Sequence, residues 1–317
     1  MVSCVTLDFI KEETVTMRAM ILFRSILFVA IASMVVAPAP NKTAAAETTP
    51  DMAMLSPEAA AFASRTLDFI EKMNGIYFDA ARRLNGDENR LEQEDLDTEF
   101  GAWDTQVARG PVLEKAGRTI TIIKKPTFQP DTLWSRYLVL AAHPKSPLVG
   151  IMQASFVVQF HPDGNSMLAG MIDVMPGAMH EDDLAEIKQA VEAVYQAHGV
   201  DGDKYRQQSC VASENEINVE YRRRAACVGG NFFGRDMMSV TEENFQFMTE
   251  IYQTFVESFL KIVEKRQNDP YTEDDLAIQD TMRKGWFEDR LFADPNTTQF
   301  APWETWSLYT LPPVVKF

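Results

Sequence analysis

The run I-M-Q-A-S-F-V-V-Q-F-H-P-D-G-N-S-M-L-A-G-M-I-D-V, residues 151–174, reads as two strands joined by a turn. β-Branched and aromatic residues recur in its first arm, residues 151–160, and Pro162-Asp-Gly-Asn165 is a turn cluster. Residues 167–174 are then the return strand. Upstream, T-I-T-I-I-K at residues 119–124 alternates as a strand does, and residues 133–142 supply another. Short strands in succession, with no helical pattern between them, favour an antiparallel sheet over βαβ units. The fold class expected is α+β.

Helical periodicity flanks this block. Ser56-Pro-Glu58 combines a hydroxyl cap, proline at the first helical position and an acid in the first turn, opening a helix that runs to about residue 83. Residues 84–98 are acidic and read as a solvated loop. Residues 181–198 are the clearest amphipathic helix, with Leu184, Ile187, Val191, Val194 and Tyr195 on one stripe and Gly199 as its stop. A strand from Ile217 leads into three arginines. A long helix over 241–265 follows, in which Phe245, Met248, Tyr252, Phe255 and Phe259 recur at helical spacing as core. A shorter helix starts near residues 272–275, and residues 286–292 and 306–315 read as closing strands. No repeat, low-complexity linker or domain boundary is visible.

The 317 residues carry 30 Lys and Arg against 46 Asp and Glu, a net charge of -16. Arg18 and Arg24 precede an apolar run over residues 25–37 that is too short to span a bilayer comfortably. Ala44-Ala-Ala46 offers a small-residue cleavage site, so residues 1–46 read as a secretory signal peptide. Lys11, Glu12 and Glu13 lie ahead of that pattern, which places the true start at Met17 or Met20. An uncleaved anchor is the alternative, and no later segment looks transmembrane. Residues 47–317 are then a single exported domain, expected in the periplasm. Without residues 1–46, Lys and Arg fall from 30 to 26 and Asp and Glu from 46 to 43, a net charge of -17. Such a surface does not suit nucleic acid, and any anion site has to be a local basic pocket. Cys210 and Cys227 survive signal removal, either as a disulfide or as two buried thiols. With no C-x-x-C and no His-rich tract, no metal site is expected.

The basic pocket has one candidate. In Y-R-R-R-A-A-C-V-G-G-N-F-F-G-R-D, residues 221–236, Arg222 and Arg224 project from one face of a strand and Arg223 from the other. Guanidinium forks bind carboxylates bidentately. Gly229 and Gly230 let the backbone bend or a flat ligand approach, and Phe232 and Phe233 supply apolar walls. The alternative is a solvated arginine row, a bulge and two core aromatics. Asp173 ends an apolar strand just before Pro176. It is either a desolvated carboxylate with a raised pKa, suited to proton transfer, or a turn cap. Asp294, before Pro295, presents the same choice with a stronger turn signal. His143, His161, His180 and His198 are scattered without a metal-like partner at i+4. G-x-S-x-G, P-loop, G-x-G-x-x-G and H-E-x-x-H motifs are all missing from the sequence, so the familiar hydrolase, nucleotide and zinc-protease readings have no local support.

Residues 221–236 resemble the signature H-R-G-E-x-R-G-x-G-G-I-F-F-D of oxygen-dependent coproporphyrinogen III oxidases, with Arg222, Gly229, Gly230, Phe232 and Phe233 matching. In the same order, V-L-E-K-A-G at 112–117 resembles V-F-E-K-A-G, and H-P-K-S-P at 143–147 resembles H-P-x-N-P. L-A-G-M-I-D-V-M-P at 168–176 is similar to F-G-G-G-x-D-L-T-P. Glu288 and D-P-N-T at 294–297 fall where the family has a glutamate and D-R-G-T, and L-P-P-V-V-K-F at 311–317 is similar to M-P-P-L-V-R-W.

The resemblance implies a homodimer built on a large antiparallel sheet flanked by helices on both sides. It implies oxidation of two propionates of a porphyrinogen to vinyl groups, with molecular oxygen as co-substrate and no organic cofactor. Asp173 and His143 take the catalytic places; Arg222, Arg224, Gly229, Gly230 and Asp294 take the substrate-binding ones. The ligand expected is a tetrapyrrole or a similar carboxylated small molecule. The departures fall in the same region. The family's H-x-N-x-R run lands on Q-A-S-F-V, so Gln153 replaces a histidine and Val157 an arginine, while the signature's histidine and glutamate become Tyr221 and Arg224 and the D-R-G arginine becomes Pro295. Glutamine cannot donate and recover a proton near neutral pH as imidazole can. Two readings follow: an exported oxidase of this type, and a non-catalytic tetrapyrrole-binding or structural descendant of the fold.

Overall fold

The Ser56 hydroxyl accepts the Ala59 N–H at 3.2 Å and caps α1 (Pro57–Asn85), which stops where Gly86 takes a φ of 57°. The computed structural model describes residues 50–125, 131–212, 226–234, 237–288 and 303–317, all within one compact unit, Ala46–Phe317. Seven strands form one antiparallel sheet in chain order: β1 (Arg90–Asp97), β2 (Gly101–Arg109), β3 (Leu113–Ile123), β4 (Trp134–Pro144), β5 (Ile151–Phe160), β6 (Ser166–Met175) and β7 (Gly230–Asn231). Between β6 and β7 lie α2 (Glu181–Ala197) and α3 (Gly202–Ala212), and after β7 come α4 (Glu242–Arg266), α5 (Glu273–Glu288) and α6 (Trp303–Tyr309).

The turn at the centre of the sequence reading forms as its chemistry requires. The His161 N–H donates to the Asn165 carbonyl at 2.9 Å, Asp163 Oδ1 accepts the Asn165 N–H at 3.0 Å, and Gly164 takes a φ of 82°. That fixes the β5–β6 register, in which Ile151 faces Met175 and Gln153 faces Asp173. Alternate residues then go to opposite faces. Leu138, Leu140, Phe156, Val158, Leu168 and Ile172 join α1 and α4 in the main apolar core. Phe156 is its hub, with Phe69 at 4.9 Å, Tyr252 at 6.0 Å and Phe245 at 6.2 Å between ring centroids. On the other face Val139 packs on Trp306, Tyr309 and Leu311, and Ile151 on Met282 and Trp286. Helices therefore cover both faces.

An ion cluster ties α2 to α4. Buried Asp183 accepts Arg266 Nε at 2.7 Å and Lys265 Nζ at 2.8 Å. Burial pushes its carboxyl pKa up, and the two cations outweigh that and hold it below the usual range.

The structure corrects several expectations. Residues 84–98 are not a loop throughout: they include β1, an edge strand whose side chains are almost all exposed. A strand with neither face buried has no alternation to display, and main-chain pairing with β2 alone makes it a strand. β2, the first half of β3 and α3 are likewise elements that the sequence pattern does not announce. Trp286 and the stretch expected as a strand from Trp306 are helical, in α5 and α6, and residues 310–317 form no strand. A short apolar run has no period of its own; here Trp306 and Tyr309 meet the sheet at helical spacing. The expected strand from Ile217 into the arginines lies outside the described residues, as do residues 289–292. Among the described residues no helix is long and apolar enough to cross a membrane.

Candidate active site

β6 carries Asp173 to the face of the sheet opposite the aromatic core, on an arm otherwise made of apolar and small residues. Residues 226–229 run along the far edge of β6: the Ala226 N–H donates to the Val174 carbonyl at 3.0 Å. Gly230 and Asn231 then pair with Ile172 and Met171 as β7. This edge requires glycine twice. A Cβ on Gly229 would collide with the Ile172 carbonyl oxygen, and one on Gly230 with the Tyr195 hydroxyl. Cys227 adopts a φ of 52°, the left-handed conformation, and turns successive amides toward one point.

Asp173 Oδ1 sits at that point. It accepts the Val174 N–H at 2.9 Å and the Val228 N–H at 3.2 Å, and the amides of Cys227 and Gly229 act on it as well. Oδ2 is buried and has no hydrogen-bond partner among the described residues. Burial raises the carboxyl pKa from 3.8 to about 6, against the lowering effect of the four amides. Asp173 is therefore 4% exposed, ionised at neutral pH, and short of one donor.

His143 lies at the end of β4 on the same face, two residues beyond Ala141, which pairs with Gln153. It is fully buried, and its Nε2 donates to the Thr310 carbonyl at 2.9 Å. That partner places the proton on Nε2. Burial, and the charges of Lys115 and Arg283, push its pKa well below the usual value, so the ring is neutral. Trp286 Nε1 donates to the same carbonyl at 3.0 Å. His143 is thus committed to holding the segment after α6.

Lys115, within the V-L-E-K-A-G segment, is not among the site residues expected from sequence, yet it does parallel work. It pairs with His143 across β3 and β4, and its Nζ donates to the carbonyls of Ser307 at 2.8 Å and Leu311 at 2.6 Å. Burial foremost, with the charge of Arg109, lowers its pKa to about 7. Gly117 lets Tyr309 lie against β3, since a Cβ there would collide with the Tyr309 carbonyl. The Thr310 hydroxyl then donates to Gln153 Oε1 at 3.5 Å, linking the C-terminal segment to the strand pair that bears Asp173.

Of the residues singled out from sequence, the structure brings Asp173, His143 and Gln153 onto one face and places Gly229 and Gly230 at its edge. Phe232 is not an apolar wall: it is core, packed on Tyr205 with ring centroids 4.7 Å apart. Cys227 is disulfide-bonded, which removes the free-thiol alternative for it; the Cys210 side chain is outside the described residues. Arg222, Arg224 and Asp294 lie outside them too. No cluster of three or more His, Cys, Asp or Glu residues that would hold a metal ion occurs among the described residues.

Residues 84–316 match the model of a protein family described as coproporphyrinogen III oxidase. The chain is also 26% identical over 201 residues to the mitochondrial oxygen-dependent coproporphyrinogen-III oxidase of Mus musculus. That match covers 60% of this chain and 44% of the mouse protein, less than half of the relative's length.

Proposed function

Because the chain belongs to the coproporphyrinogen III oxidase family, we propose that it oxidatively decarboxylates the propionates of a porphyrinogen or a related pyrrole, with molecular oxygen as co-substrate. For each propionate, one –CH2–CH2–COO⁻ group, one O2 and one proton give –CH=CH2, CO2 and H2O2. The carboxyl C–C bond and one C–H bond on the ring-side carbon break, a C=C bond forms, and the electron pair reduces oxygen.

The observation that carries this reading is Asp173. A buried carboxylate with one oxygen saturated by main-chain amides and the other without a donor is built to accept an N–H from a ligand. Its pKa of about 6 keeps it ionised at neutral pH and close enough to accept a proton during turnover. Arg222 and Arg224 would anchor propionates, and Asp294 and the glycine edge would frame the ring. His143 supports from behind through Thr310. Export of the mature domain and a homodimer belong to the same proposal. In the test, purified protein is incubated with coproporphyrinogen III in air while CO2 release and product mass are followed. Turnover is expected, and Asp173→Asn should lower it at least about a hundredfold, within the range general acid–base groups contribute; undiminished turnover in that variant removes the assigned role.

A second reading, a non-catalytic tetrapyrrole binder, is favoured by one observation. Gln153, the residue opposite Asp173, is an amide that exchanges no proton near neutral pH, and His143 Nε2 is bonded to the Thr310 carbonyl. It predicts a porphyrin-dependent absorbance change without CO2 release.

A further inference from the structure

Gln153 stands directly opposite Asp173 in the β5–β6 ladder, on the same face. Cross-strand partners of this kind have Cβ atoms about 4.5–5.5 Å apart, so the two side chains address one small region. The Thr310 hydroxyl fixes the orientation of the amide, holding Oε1 toward itself and leaving Nε2 to point away. Thr310 is itself tied to the sheet and to α5. Its carbonyl takes His143 Nε2 and Trp286 Nε1, and the carbonyls on either side of it in the segment, those of Ser307 and Leu311, take Lys115 Nζ. No described residue hydrogen-bonds Gln153 Nε2, and Gln153 retains 9% exposure. Among the described residues the strand pair therefore offers an acceptor that lacks a donor beside a donor that lacks an acceptor.

We infer that Gln153 is a ligand-binding residue, positioned by Thr310, and that with Asp173 it selects a pyrrole-derived ring carrying an N–H next to a carbonyl oxygen. That group is a lactam, as found at the ends of an open-chain tetrapyrrole. Its N–H meets Asp173 Oδ2 and its C=O meets Gln153 Nε2. An unoxidised pyrrole supplies the first contact only and binds less tightly, because the Gln153 amide N–H then finds no partner on the ligand. An amide exchanges no proton near neutral pH, so Gln153 contributes recognition and not proton transfer. This inference rests on the reading of Asp173 as an N–H acceptor given above.

Biliverdin, which has two lactam rings, and coproporphyrin III, which has none, are titrated by absorbance into the full-length protein and its variants. Wild type should bind biliverdin about tenfold more tightly than coproporphyrin, the worth of one added hydrogen bond. Gln153→Leu should lose that factor for biliverdin and leave coproporphyrin unchanged, with Gln153→Met as the substitute should the leucine variant not fold. Thr310→Val should lose part of the biliverdin preference and Thr310→Ser should restore it, a ligand-dependent pattern that a purely structural threonine would not produce. Equal affinities in wild type, or equal weakening of both ligands by Gln153→Leu, overturns the inference. Biliverdin binding that Asp173→Asn abolishes and Gln153→Leu does not touch sinks the lactam preference alone. Failure of both ligands to bind overturns the reading of Asp173 as well.

Discussion

The two faces of the sheet are held by different physics. Under α1 and α4 the contact is mainly apolar and aromatic, centred on Phe156. Under α6 and residues 310–311 it is a set of buried polar side chains, Lys115, His143, Gln153 and Trp286, each committed to the carbonyl or hydroxyl of one short segment. Hydrophobic burial is non-directional and tolerates adjustment, whereas a desolvated polar group demands its partner. The face that can be built only in one way is the face that presents Asp173.

The largest expected effect breaks the apolar face. Phe156→Ala removes a fully buried ring in contact with three others and should cost about 3–5 kcal/mol in urea unfolding, equally at pH 5 and pH 8. The polar face should instead respond to pH, through two groups of opposite sign. Asp173 binds its proton more tightly folded, at about 6, than at its ordinary 3.8. Its stabilising contribution is therefore present below 3.8 and lost as pH rises through 6. Wild type should lose about 2 kcal/mol relative to Asp173→Asn between pH 4 and pH 7.5, because each tenfold gain in proton affinity on folding is worth about 1.4 kcal/mol and part of the gain already lies below pH 4. A constant difference between the two proteins would show that burial does not dominate that carboxyl.

Lys115 runs the other way. Its ammonium is disfavoured by folding, so stability should rise as pH increases from about 7 toward 10.5. Lys115→Met should flatten that rise and cost about 1–3 kcal/mol at pH 8, because two carbonyls lose their donor. Loss of the slope without loss of stability would mean that α6 docks by apolar contact alone. The smallest effect belongs to neither face: Arg83→Ala breaks an exposed ion pair to Glu264 at 3.0 Å and should change stability by less than about 1 kcal/mol, diminishing further in high salt.

How much of this was legible follows the same division. The apolar face was readable where Phe245, Met248, Tyr252 and Phe255 repeat at helical spacing, a period that survives without knowing the partner. Asp173 was readable as an acid closing an apolar strand. β1 was not, because its acidic side chains stay in solvent and its identity resides in main-chain bonds to β2. Lys115 was not, because it lies on β3 while the carbonyls it holds, those of Ser307 and Leu311, lie in and just after α6, and nothing in either neighbourhood names the other.

By itself, then, the sequence determined the hairpin of β5 and β6, the amphipathic helices, the glycine edge and the family to which the chain belongs. These rest on local periodicity, turn chemistry and short motifs. Only the tertiary structure decided that Asp173 has one satisfied oxygen and one without a donor among the described residues, that His143 Nε2 bonds the Thr310 carbonyl, and that the Thr310 hydroxyl meets Gln153 Oε1. Hydrogen bonds between residues far apart in the chain leave no period in it. Their partners are chosen by the sheet register and by where the last helix comes to rest.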